Sequence, residues 1–111
     1  MKLAEKYLLG FAETVARELV SYGRIKKPLR SFKVMHRGDK CHDYYWGWCD
    51  DLGNIRIRLK TPKLGRLVTM RELVLLVCHE VAHLVPDVKY HGDAWRSMYD
   101  KLKQYAVRRY L

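Results

Sequence analysis

Apolar positions recur at helical spacing near the start of the chain, alternate in its middle, then run almost unbroken before returning to helical spacing. Leu3, Tyr7, Leu8, Phe11, Val15 and Leu19 lie on one helical stripe, which predicts an amphipathic helix over 2–21. Gly23 and Pro28 close it. Residues 31–36 and 43–49 read as strands, the second rich in aromatics (Tyr44, Tyr45, Trp46, Trp48). Asp50-Asp51-Leu52-Gly53-Asn54 has turn chemistry and predicts a hairpin. Beyond it, Ile55 to Lys60 alternates strictly, as a half-buried strand over 54–60 requires, with Arg56, Arg58 and Lys60 on the polar face.

The stretch from Val68 to Val85 is apolar nearly all round. Its length favours a helix, and its hydrophobicity predicts burial on most sides. Thr69, with Glu72 three residues on, has the spacing of a capping box, and Pro86 stops the segment. Asp93 is the expected N-cap of a last helix that turns Trp95, Met98, Tyr99, Leu102 and Ala106 inward. The expected architecture is α+β in a single domain over 1–111: a helix, a three-stranded antiparallel sheet, a buried helix and a closing helix.

With 111 residues, 49% of them hydrophobic, and eight Tyr and three Trp, the composition is that of one globular domain and excludes a disordered chain. Charge changes the picture more. Lys and Arg total 22 against 12 Asp and Glu, a net +10, which favours nucleic acid or another acidic partner. Between Arg24 and Lys40 lie Arg24, Lys26, Lys27, Arg30, Lys33, Arg37 and Lys40, offset only by Asp39. Followed by the aromatics Tyr44 to Trp48, this segment is a candidate nucleic-acid surface, the alternative being that the aromatics are core. Three cysteines, an odd number, argue against a secreted disulfide framework. Cys41 and Cys49 could pair, or form a second metal site with His42, but reduced thiols are the expected state. No apolar run approaches the roughly 20 residues of a membrane span, and Met1 to Ala16 lacks the pattern of a signal peptide. A soluble, cytoplasmic protein with no membrane partner is expected.

The chemistry lies in the apolar helix, as His79-Glu80-Val81-Ala82-His83. Residues four apart share a helix face, so both imidazoles can bind one metal ion. Glu80 projects about 100° around from His79 and can reach a metal-bound water without becoming a ligand. Zinc lowers that water's pKa to about 7, and the carboxylate takes its proton during attack on a carbonyl. This is the H-E-x-x-H arrangement of metalloproteases. Two histidines and a glutamate on an otherwise hydrophobic helix are hard to explain as core residues, because buried charge is costly. Metzincins place Gly and His three and six residues past the second His, where this chain has Pro86 and Lys89; gluzincins use a downstream Glu, and none follows Glu80. His91 is the one His beyond the motif and the leading third ligand; Asp87 and Asp93 are the alternatives, Asp93 fitting better as N-cap and partner of His91.

His79-Glu80-Val81-Ala82-His83 followed by His91-Gly92-Asp93-Ala94-Trp95 resembles the H-E-x-x-H…H-G-x-x-F/W signature of SprT-like metallopeptidases. The resemblance implies a zincin-like zinc protease acting on protein or peptide substrate, with His79, His83 and His91 as ligands and Glu80 as general base. Some relatives in that family degrade proteins crosslinked to DNA. The step from His83 to His91 is shorter than in those members, and Ala82 stands where many relatives have Cys. In zincin-like proteases an edge strand above the active helix binds peptide by β-addition, and residues 54–60 are the candidate, the alternative being an ordinary hairpin strand with a solvated basic face. Tyr90, Arg96 and Tyr99 are candidates for stabilising an oxyanion. Two rival functions are a metal-dependent nuclease and a non-catalytic, zinc-stabilised nucleic-acid-binding module.

Overall fold

A computed structural model describes residues 2–35, 46–61, 65–85 and 92–111. Among these the chain forms α1 (Leu3–Tyr22), β1 (Ser31–Val34), β2 (Gly47–Cys49), β3 (Asn54–Ile57), α2 (Met70–Ala82) and α3 (Asp93–Tyr110). The fold is α+β, as expected: α1 and α2 pack on the apolar face of one sheet, and α3 packs on α2 and α1.

Helix α2 is the centre. Leu73, Val74, Val77, Cys78, Val81 and Ala82 are all fully buried, against α1, α3 and the sheet. Each aliphatic side chain of this kind stabilises the fold by about 1.5–3 kcal/mol. Helix α1 meets it through Ala12, Val15, Ala16 and Leu19, a face on which two alanines allow close approach. Of the predicted stripe, Val15 and Leu19 are buried and Leu8 and Phe11 pack against the core, whereas Leu3 (84%) and Tyr7 (67%) near the start of α1 are exposed. Helix α3 supplies Trp95, Leu102 and Ala106. Glu18 ties the chain ends together, accepting from the Tyr105 hydroxyl and from Arg109 Nε (3.3 Å).

The sheet departs from expectation. Its order is β1-β3-β2, with β3 antiparallel to β2 but parallel to β1. Local turn chemistry explains the hairpin alone. Asp50 Oδ1 accepts from the amides of Leu52 (2.9 Å) and Asn54 (3.0 Å), and Gly53 has φ +92°. A Cβ at Gly53 would come within 2.1 Å of the Pro28 carbonyl oxygen, so the position requires glycine. The parallel pair is set by distant partners instead. Arg30 N donates to Gly53 O (2.8 Å), Met35 N to Ile57 O (2.7 Å) and Ser31 Oγ to Asn54 Oδ1 (2.7 Å). That register aligns Phe32 with Ile55 and Val34 with Ile57 on the helix side. Strand β3 is consequently central, which overturns residues 54–60 as an edge for peptide addition. Arg58, expected on a solvated face, is buried, and its Nε donates to Lys60 O (3.1 Å).

The capping box of α2 is present as predicted. Thr69 Oγ1 accepts from Glu72 N (3.1 Å), Glu72 Oε1 accepts from Thr69 N (2.8 Å), and Arg66 holds the same carboxylate with both terminal nitrogens (2.9 and 3.2 Å). The Arg66 hydrogen bonds and those from Thr69 lower the Glu72 pKa to about 2. At α3 the N-cap is Gly92 rather than Asp93, which is the first helical residue and makes no capping hydrogen bond with its side chain. Its charge still complements the positive end of the helix. Replacing Thr69 with Ala removes the acceptor for Glu72 N and is expected to lower stability by about 1 kcal/mol, read from the midpoint of urea unfolding.

Candidate metal centre

The last turn of α2 meets β2 on one side and the first turns of α3 on the other. His79 and His83 face α3. Their ring centroids lie 5.1 Å apart, and Trp95 stands 4.9 Å from His79 and 5.5 Å from His83. Behind Trp95, Tyr99 is stacked at 5.0 Å and 11°. The indole is thus clamped between the imidazoles and a second ring.

Glu80 reaches toward β2, with its carboxylate still beside the two imidazoles, and is buried. Burial alone raises its pKa from 4.5 to about 8. The cause of its tight seat is Gly47: a Cβ there would stand 2.6 Å from Glu80 Oε2 and 2.9 Å from Leu76 Cδ1. Any side chain at 47 would displace the carboxylate or the strand. Gly47 was not among the sequence candidates. Its signal was a lone glycine inside an aromatic strand, a pattern that marks close approach of backbone to another group.

Helical spacing and these packings bring one ligand atom each from His79, Glu80 and His83 within 4.8 Å of one another. Two imidazoles on one helix face are donors suited to a divalent transition metal, and the Glu80 carboxylate stands beside them. Zinc–nitrogen bonds of about 2.0–2.1 Å put ligand atoms about 3–4 Å apart, a contraction that side-chain rotation supplies. The negative end of the α2 dipole also lies here and favours a cation. The residues present therefore fit such an ion.

The helix closes in a tightened turn. His83 N donates to Glu80 O (3.1 Å), Leu84 N to Val81 O (2.9 Å) and Val85 N to Ala82 O (3.3 Å). From the neighbouring helix, Trp95 Nε1 donates to the His79 carbonyl at 3.2 Å. Trp95 was expected as a core residue; its donor role depends on the α2–α3 packing.

Of the remaining candidates, His91, Asp87 and Tyr90 lie outside the described residues, as do Cys41 and His42. Asp93 is exposed and outside the cluster. Arg96 is exposed, whereas Tyr99 is half-buried, 6.2 Å from the His79 ring. Cys49 and Cys78 are free thiols, both raised to about 12 chiefly by burial. Among the described residues no helix is long and apolar enough to cross a membrane. A scan against family models and searches of curated proteins and of solved structures each returned no match to the chain.

Glu80 makes the metal-free protein pH-sensitive. The unfolded chain ionises this carboxyl near 4.5 and the folded chain near 8, so between these values the folded state alone retains the proton. Stability is then expected to fall as pH rises through that window and to level above it. Melting temperatures of metal-free wild type and Glu80→Gln from roughly pH 5 to pH 9 test this, the variant showing the shallower fall.

Proposed function

We propose that the chain is a zinc-dependent peptidase of the SprT-like, zincin-like kind, with His79, His83 and His91 as metal ligands and Glu80 as general base. The observation that carries the proposal is the convergence of His79, Glu80 and His83 at one corner, the carboxyl buried and its pKa raised to about 8. Two imidazoles on one helix face have no packing advantage over aliphatic residues, whereas zinc chemistry requires them at this spacing. Zinc, when bound, would polarise the substrate carbonyl and acidify a water molecule.

The chain's own residues do the rest. Glu80 takes a proton from the attacking water as the water oxygen bonds to the carbonyl carbon, then delivers it to the departing amine as the C–N bond breaks. Trp46 O accepts from Arg58 N (2.8 Å), and Asp50 N donates to Asn54 O (3.1 Å). By alternation, the backbone groups of Gly47 and Cys49 point to the opposite side of β2, the sheet edge beside Glu80. An extended peptide fits that edge by β-addition, and Gly47 lets its backbone approach the base. The expected results are one zinc per chain, lost with His79→Ala or His83→Ala, and casein cleavage lost with Glu80→Gln while zinc is retained. A protein purified without chelator and found metal-free overturns the proposal.

A nucleic-acid partner is proposed alongside, on a separate observation. Lys33, Arg56 and Trp48 occupy one row across the three strands, on the face turned away from the helices. Trp46 and Trp48 are 37% and 39% exposed rather than buried in the core, and Arg24, Lys26 and Arg30 are exposed in the segment leading into β1. Cations for phosphates beside rings for bases suit a single strand, DNA or RNA. Binding of a fluorescent oligonucleotide is expected to weaken steeply with salt and with Lys33→Glu or Trp48→Ala. Binding indifferent to salt overturns it. If Glu80→Gln retains binding and wild type cleaves nothing, with or without DNA, the chain is a binding module instead.

A further inference from the structure

We propose that the segment just after β3 holds a phosphate-class oxyanion, with the Arg58 guanidinium as its anchor and the Thr61 hydroxyl as a second donor. The proposal is independent of the peptidase reading. Arg58 is the one buried arginine among the described residues, 8% exposed. Its Nε donates to the Lys60 carbonyl (3.1 Å), whereas Nη1 is buried and meets no acceptor among the described residues. None of the ion pairs among those residues includes Arg58. Thr61, 5% exposed, follows the same Lys60 carbonyl, and its Oγ1 is likewise buried without a hydrogen-bond partner. A cation taken out of water is costly unless an anion compensates it, and buried polar side chains are nearly always hydrogen-bonded. Two such side chains flanking one carbonyl point to a ligand that supplies negative charge and acceptor oxygens.

The backbone around the pair is fixed. Arg58 N donates to Trp46 O (2.8 Å), Thr61 N to Arg66 O (2.8 Å) and Val68 N to Leu59 O (2.9 Å), with Lys60 bridged to Leu67. The Nε bond to Lys60 O orients the guanidinium as well, so little ordering is left for binding to pay. A planar fork of N–H donors together with a hydroxyl suits a phosphate, which offers more acceptor oxygens than a carboxylate and more directional ones than a halide. Free phosphate and the backbone of a nucleic-acid strand share this chemistry. The second source would place one phosphate beside Trp46, which pairs with Arg58 across the strands and is 37% exposed.

The test follows thermal unfolding as inorganic phosphate replaces chloride at constant ionic strength. With phosphate tenfold above its dissociation constant, the wild-type midpoint is expected to rise by about 6–11 °C. Arg58→Met, which keeps an unbranched stem and removes the donors, is expected to lose this saturable rise. The variant still carries the general stabilisation by phosphate as a solute and any binding at the metal corner, so both are subtracted. A rise of equal size in Arg58→Met, or none in the wild type, overturns the proposal and leaves the peptidase reading standing. Thr61→Val is expected to raise the half-effective phosphate concentration about tenfold; an unchanged concentration overturns its part as donor. A labelled oligonucleotide then separates the sources. If the strand's backbone is the ligand, Arg58→Met weakens its binding and lowers the salt slope by about 1; if free phosphate is the ligand, oligonucleotide affinity is unchanged. Should Arg58→Met not fold, the arginine Nε–H resonances of the wild type decide. The buried, hydrogen-bonded Arg58 signal is the slowly exchanging one and is expected to shift saturably with phosphate; a signal that stays in place overturns the proposal.

Discussion

Burial of α2 on three sides is the constraint from which the rest of the molecule follows. A helix enclosed by α1, α3 and the sheet must be apolar almost all round, and its sequence is so from Leu73 to Cys78, between a polar first turn and the final one. There His79, Glu80 and His83 enter surroundings built for hydrocarbon. The desolvation that raises the Glu80 pKa comes from the same packing that holds the core together. Stability and the chemistry proposed for this corner therefore draw on one set of contacts. The core ends where the polar cluster begins, and the tightened turn after Ala82 is the boundary between them.

The corner has two unlike walls. On the α3 side the histidines meet aromatic rings, which give shape and one hydrogen-bond donor. On the β2 side Glu80 meets bare backbone at Gly47. Aromatic contacts restrict the imidazoles without competing for their nitrogens, whereas the glycine admits a carboxylate, and room for little else, beneath a strand. The two halves of the proposed machinery are thus held by different means, ring packing for the ligands and steric exclusion for the base.

Much of this was legible from local pattern. Three helices, the Thr69–Glu72 box and the Asp50–Asn54 hairpin each depend on residues within a few positions of one another, where spacing and capping chemistry speak directly. The His79–Glu80–His83 cluster was legible for the same reason, because one helix carries all of it. What pattern missed was non-local. The parallel partnership of β1 with β3 joins Ser31 to Asn54, and alternation within a strand does not say which strand lies beside it. The burial of Arg58, the exposure of Trp46 and Trp48, and the overhang of Leu3 and Tyr7 likewise depend on what the rest of the chain covers. Gly47 and the indole N–H of Trp95 escaped notice because each matters only through a residue on another element.

The sheet order also sets the sequence of events by which this chain can assemble. The β2–β3 hairpin closes over a short turn, an event of microseconds that needs no other element. Strand β1 can dock only onto the far side of β3, after a loop of about twenty residues has been closed, at an entropic cost that grows with the logarithm of its length. The apolar row of Ile55 and Ile57 must therefore exist before Phe32 and Val34 have anything to pair with. Docking of α2 onto that row then brings Glu80 under Gly47. The carboxyl loses its water only when α2 and β2 are together.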